Sequence, residues 1–155
     1  MCVDISPSML DIARENLKEF SGIEFKLEDF YYFSFKKDYD AVVSSLALHH
    51  ILSDNSKKDI YRKIFALLKE NCFFFNFDTV SGANHSIQRI YMDAWLSFLK
   101  KMHSQGEIDD LLTHHYREEY IATLQEQIDW LKNIGFHPVY IVAKYYKFAL
   151  FGSYK

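Results

Sequence analysis

Apolar residues along the chain fall into two spacings, and each spacing predicts an element. Leu10, Ala13, Leu17 and Phe20 recur at i, i+3, i+7 and i+10, the face of a helix that starts at Ser6-Pro7 and ends near Gly22. Ser6 supplies a cap and Pro7 a fixed φ suited to the first turn. Ile60, Ile64, Leu67 and Leu68 predict a second helix, opened by Asp54 and stopped at Asn71 in the left-handed region. Ile121, Leu124, Ile128 and Leu131 predict another, closing at Gly135. Between them, residues 2–5, 23–27, 41–48 and 72–77 read as strands. The runs at 41–48 and 72–77 are apolar at both parities, as expected of strands covered on both faces. Strand and helix alternate over the first eighty residues, which predicts βαβ units and a parallel sheet. Residues 139–146 and 148–154 predict a closing antiparallel hairpin.

From residue 81 to about 120 the strand signal disappears. Ile87, Ile90, Tyr91, Ala94, Trp95, Phe98, Leu99 and Met102 follow the helical period and predict one long amphipathic helix over 86–103, with a polar segment after Gly106. This stretch, about 82–120, reads as a helical lid inserted into a single domain that covers 1–155. The 155 residues, 49% hydrophobic, are enough for one substantial core. A formal charge of −3 gives no basic field for a long polyanion. Cys2 and Cys72 fit neither a CxxC pair nor a disulfide framework, which points to a reducing compartment without a structural metal. No run approaches ~18 apolar residues and no signal pattern opens the chain, so the expectation is a cytoplasmic protein with no membrane association.

The candidate chemistry lies in two stretches, CVDISPSMLDIARENL at 2–17 and DAVVSSLALHHI at 40–51. The first places a carboxylate at a strand end just before a helix start. The second ends a buried run in small and polar residues. Together they describe a nucleotide-cofactor crevice at a topological switch point, where Asp4 is suited to a vicinal diol. Asp4 and Asp29 also have a plain alternative as strand-end turn formers. His49 and His50, adjacent on a strand end, are expected to point to opposite sides, one buried and hydrogen-bonded and one at the crevice rim. His114-His115 reads as a solvated lid segment, and Glu118 and Glu119 receive no assignment. Phe30 to Phe33 reads as edge packing, Phe73 to Phe75 as core. Tyr91 and Trp95 lie on the apolar helix face, where a lid touches its substrate.

The order of these motifs resembles the class I S-adenosylmethionine-dependent methyltransferases over nearly the whole chain. The resemblance rests on VDISPSML at 3–10, Glu28-Asp29, YDAVVSSLALHHI at 39–51, ALLKEN, FFFNFD, LKNIGF and FALFGSYK. It looks nearest to the branch acting on small molecules and on the wobble uridine of tRNA, with an inserted helical lid. The resemblance implies an α/β, partly parallel Rossmann-like sheet in the order 3-2-1-4-5-7-6, with helices on both faces and a C-terminal hairpin. It also implies cofactor contacts from Asp4 to the ribose, Ile5 and Met9 to the adenine, Asp29 and Phe30 at its amino group, and Ser45 and Leu46 on the methionine side. Catalytic residues are not assigned by it; Asp78, His85, Tyr91 and Arg117 lie where acceptor groups belong.

The family's first, central strand, its Gly-rich loop and the helix that follows have no counterpart in the sequence, so a truncated form is the expectation. That loop supplies backbone donors at a helix N-terminus. Weak or absent S-adenosylmethionine binding is therefore expected. Two orphaned strand ladders further predict self-association or marginal stability. Three functions remain in view: methyl transfer to a small-molecule or RNA acceptor, a non-catalytic methyltransferase-like remnant or partner subunit, and, more remotely, another dinucleotide enzyme.

Overall fold

The computed structural model describes residues 1–35, 39–118 and 121–155, and at 114 and 116–118 the backbone only. The chain divides into two compact units, Met1–Lys36 and Lys37–Lys155. In the first, strand β1 (Cys2–Asp4) leads into helix α1 (Pro7–Asn16), and β2 (Phe25–Leu27) returns parallel to β1 with Asp4 level with Leu27. The Ser6 hydroxyl caps α1 by accepting from the Met9 N–H, and Leu10 is the buried residue of the helix. The expected apolar face is cut short: α1 ends at Asn16, Leu17 leaves the helical region, and Phe20 is exposed. Gly22, with φ of 80°, sits in the turn beyond rather than at the helix end.

The second unit contains β3 (Tyr39–Ser45), a single 3-10 turn at Leu48–His50, α2 (Asp54–Leu67) and β4 (Leu68–Thr79), then α3 (His85–Leu99), α4 (Gln105–Glu118) and α5 (Leu124–Ile134), and finally β5 (Val139–Tyr145) and β6 (Phe148–Tyr154). Its sheet has the order β3-β4-β6-β5, with β3 parallel to β4 and the other pairs antiparallel. Within the second unit the order β3-β4-β6-β5 corresponds to 4-5-7-6 of the expected order, and within the first β2-β1 corresponds to 3-2.

Strand parity separates the faces of the four-stranded sheet. Phe74 and Asn76 of β4 and Phe151 of β6 share one face and are 0% exposed. Helices α2 and α5 cover it: Tyr61 of α2 lies 5.7 Å from Phe74, and its hydroxyl donates to Gln127 Oε1 of α5 at 2.6 Å. On the other face Val43 is 73% exposed, and Tyr140, Tyr145 and Tyr154 are exposed too. The expectation that residues 41–48 are covered on both sides therefore fails. β3 is an edge strand of its sheet, and its regular part ends at Ser45, before the turn that holds Leu48. Gly152, level with Phe75, is on this side, and a side chain is excluded there because a Cβ would come within 2.1 Å of the Phe74 carbonyl oxygen.

Three further expectations are corrected. Asn71 is left-handed, with φ of 61°, but it lies inside β4 rather than at a helix end. Helix α2 stops at Leu67, and the register slips from Tyr39↔Leu68 to Ala41↔Phe73, so the intervening residues bulge and Asn71 N–H turns to donate to the Lys155 carbonyl. Second, the segment expected to form a lid with one long helix contains two helices, α3 and α4. Ser104 and Glu107 bond reciprocally, the Ser104 N–H donating to Glu107 Oε2 at 2.8 Å and the Glu107 N–H to Ser104 Oγ at 3.5 Å. This capping box starts α4 within the segment expected to be polar and irregular. Third, α5 begins at Leu124, not at Ile121, because Thr123 and Glu126 form another such box. The lid's last two residues, 119 and 120, lie outside the described residues, as does the expectation for Glu119.

Candidate active site

In the first unit the structure brings together five of the residues implicated in cofactor binding. Parallel pairing sets Asp4 and Asp29 at the carboxyl ends of neighbouring strands, with the Glu28 N–H donating to the Asp4 carbonyl at 3.1 Å. Ile5 follows Asp4, Met9 stands on the first turn of α1, and Phe30 follows Asp29. Each carboxylate also closes a local turn: Asp4 Oδ1 accepts from the Ser6 N–H and Asp29 Oδ1 from the Tyr31 N–H, both at 2.8 Å. One oxygen of each is thus engaged in fixing the carboxylate's direction. Phe30 and Phe33 both pack on Phe35, at 4.9 and 4.6 Å between centroids, whereas Tyr32 projects into solvent. Ser45 and Leu46 belong to the second unit, at the end of β3; Leu46 has a φ of 50°.

The second unit contains a cavity of about 300 Å³ lined by Leu46, His49, His50, Thr79, Trp95, Lys147 and Phe148. Its floor is a buried pair, His49 Nδ1 and Asp78 Oδ1, 2.5 Å apart and drawn from positions 29 residues apart. Parallel pairing of β3 with β4 accounts for the approach: Ser45 is level with Phe77, the chain then turns through Leu48–His50, and Asp78 is the next residue of β4. The Thr79 N–H donates to Asp78 Oδ1 at 2.9 Å and Asn76 Nδ2 to Oδ2 at 3.3 Å. A buried carboxylate is tolerable only with such donors. With Asp78 as the acceptor in each bond, His49 presents a hydrogen on Nδ1 to it. Burial, and after it the nearby Asp78 charge, push the Tyr61 phenol far above its ordinary range, so it remains a donor.

Helix α3 and the β5–β6 hairpin form the remaining wall. Trp95 of α3 lies under the Lys147 ammonium, 4.0 Å from nitrogen to ring centroid, and 5.0 Å from the His115 ring. Tyr91 accepts from Lys144 Nζ at 2.6 Å. His85 stands exposed at the start of α3, and the side chains of His114, Arg117 and Glu118 lie outside the described residues. Two histidine expectations change. His49 is buried and bonded and His50 exposed, but their rings lie side by side, 4.0 Å apart, instead of on opposite sides. They occupy a 3-10 turn, where successive side chains diverge by roughly 120°, and not a strand. His115, expected in solvent, is buried because α4 packs it on Trp95. Thr79 and Lys147 were missed altogether. A polar residue directly after the apolar β4 run was the available signal for Thr79; nothing local marks Lys147.

Residues 1–71 match a family model described as a methyltransferase domain. That match covers a little under half of the chain, and the fold is the class I, Rossmann-like α/β fold of solved S-adenosylmethionine-dependent methyltransferases. The chain is similar to a carboxy-S-adenosyl-L-methionine synthase of Nautilia profundicola, 26% identical over 99% of this chain and 65% of that protein. Among solved structures, the apo S-adenosylmethionine-dependent methyltransferase SibL superposes with a TM-score of 0.65 at 15% identity, over 99% of this chain and 42% of that one. The N-methyltransferase NodS of Bradyrhizobium japonicum, bound to S-adenosylhomocysteine, gives 0.59 at 12% identity, over 97% and 64%. The chain thus spans a little under two thirds of the curated relative and less of these structures. None of the described helices is long and apolar enough to cross a membrane.

Proposed function

We propose that the chain forms part of an enzyme that transfers a methyl group from S-adenosylmethionine to a small acceptor. The observation that carries this reading is the surface around Asp4. Ile5 and Met9 are large apolar side chains left in water beside a carboxylate whose direction is fixed by the Ser6 N–H. Adenosine supplies what this surface lacks: an apolar ring to cover Ile5 and Met9 and two hydroxyl donors for Asp4. Asp29 and Phe30 stand at the next strand end for the adenine edge. Bound there, the cofactor would supply an electrophilic methyl on a sulfonium. The residues themselves bind, orient and exclude water. Adding S-adenosylhomocysteine to the isotope-labelled chain should move the amide resonances of Asp4, Ile5, Met9, Asp29 and Phe30 first. Shifts confined to other residues would remove the assignment.

A non-catalytic subunit is the second reading. The exposed edge of β3 supports the further proposal that two copies of the chain pair there. Sedimentation of a concentration-independent monomer would exclude that.

A further inference from the structure

We infer that the groove between the outer surfaces of α2 and α5 is a binding site for an aromatic monocarboxylate. The site lies wholly in the second unit, on residues that the methyl-transfer reading does not use. Five residues line a space of about 540 Å³: Lys58 and Arg62 of α2, and Trp130, Asn133 and Ile134 of α5. Helical period explains the set. Positions i and i+4 bring both cations to one side of α2, and i, i+3 and i+4 bring the indole, the amide and the isoleucine to one side of α5. The inner seam of the same two helices is closed by the bond from the Tyr61 hydroxyl to Gln127. Their outer seam is open.

The charge in this groove is one-sided, for two cations line it and no carboxylate does. The Lys58 ammonium stands 4.9 Å from the centroid of the Trp130 ring, and among the described residues nothing accepts a hydrogen bond from it. Arg62 gives Nη1 to Asp59 at 2.6 Å, in a pair whose side chains are 60% and 55% exposed. So exposed a pair contributes little, and Arg62 can turn to a new partner at small cost. Glu126 acts on Lys58 through its charge, but its Oε2 is held by the Thr123 N–H and hydroxyl. With Asp59 and Glu126 beside them the two cations leave room for one negative charge, which favours a carboxylate over a doubly charged phosphate. The rest of the ligand follows from α5. The Trp130 indole is 8% exposed and fixed by its packing, so that with Ile134 it gives a rigid apolar floor. A flat ring laid there covers apolar surface while its carboxylate meets the Arg62 fork and the Lys58 ammonium. Asn133 offers an amide to a polar substituent on the ring.

The test follows the Trp130 indole N–H by NMR in the whole chain, with no cofactor present, as phenylacetate is added. The resonance should shift with half-saturation at roughly 5 mM or below, while the Trp95 indole N–H stays in place. Phenylacetamide keeps the ring without the charge and acetate keeps the charge without the ring, so each should bind about fivefold more weakly or worse. K58M retains a stem over the indole, removes the ammonium, and should weaken phenylacetate binding to the same degree. D59N has the opposite sign: it frees Arg62 from its exposed partner and should tighten binding by about twofold or more. Cofactor binding enters none of these readouts, so its failure would be a separate result. No shift at Trp130, a shift led by Trp95, equal binding of phenylacetamide, or unchanged binding in either variant would each overturn the assignment.

Discussion

The two units hold their functional residues in opposite ways. Around Asp4 the apolar residues are open to solvent, Ile5 at 70% and Met9 at 52% exposure, and the carboxylates are fixed by single backbone donors. Around Asp78 every participant is inside: His49, Asn76, Asp78 and Thr79 are buried, and both carboxylate oxygens are bonded. A cluster that is already dry and connected is preorganised, whereas an apolar surface left in water gains its order from what binds it. The cluster around Asp78 is therefore formed in the free chain, and the surface around Asp4 is only outlined.

The contrast breaks if stability does not follow it. His49→Ala removes one partner of a buried pair and should cost about 3–5 kcal/mol, seen as a lower urea midpoint at unchanged slope. Tyr61→Phe strips a buried donor from Gln127 and should cost ~1–3 kcal/mol. Asp4→Ala loses only the local turn bond and should cost about 1 kcal/mol. Met9→Ser, on the open surface, should stay within ~0.5 kcal/mol. Equal losses at Asp4 and His49 would show that the two units are held alike.

The smallest effect expected is with pH. Bonds to Thr123 hold the Glu126 carboxyl below its ordinary range, and bonds to Ser104 do the same for Glu107. A depressed folded value means that the stabilisation is complete above the unfolded value of about 4.3 and is lost as pH falls through the folded one. Amide exchange at the first turns of α4 and α5 should accordingly accelerate only below about pH 4, and Glu126→Gln should reduce that dependence at α5. Fraying that begins near neutrality would assign it to the histidines instead.

Much of this was legible in the sequence, for reasons that differ by element. The hairpin, α2 and the strand before Asp4 were readable because period and cap residues are local signals. The helix at 105–118 was readable too, through Ser104 and Glu107, but a run of polar residues hid the box. Asn71 showed its left-handed backbone without showing that a strand bulge, not a helix end, required it. The His49–Asp78 pair spans 29 positions and exists only through parallel pairing, so no spacing rule reaches it. Exposure of Val43 was illegible for the converse reason, since an apolar strand reads the same whether or not a helix covers it.

The account depends most directly on one affinity. S-adenosylhomocysteine titrated by calorimetry into the purified chain should bind at about millimolar or weaker, near 4 kcal/mol, because the surface at Asp4 lacks a Gly-rich loop. Micromolar binding would contradict this, for it would mean that the surface around Asp4 is as completely formed in this chain as the buried cluster around Asp78.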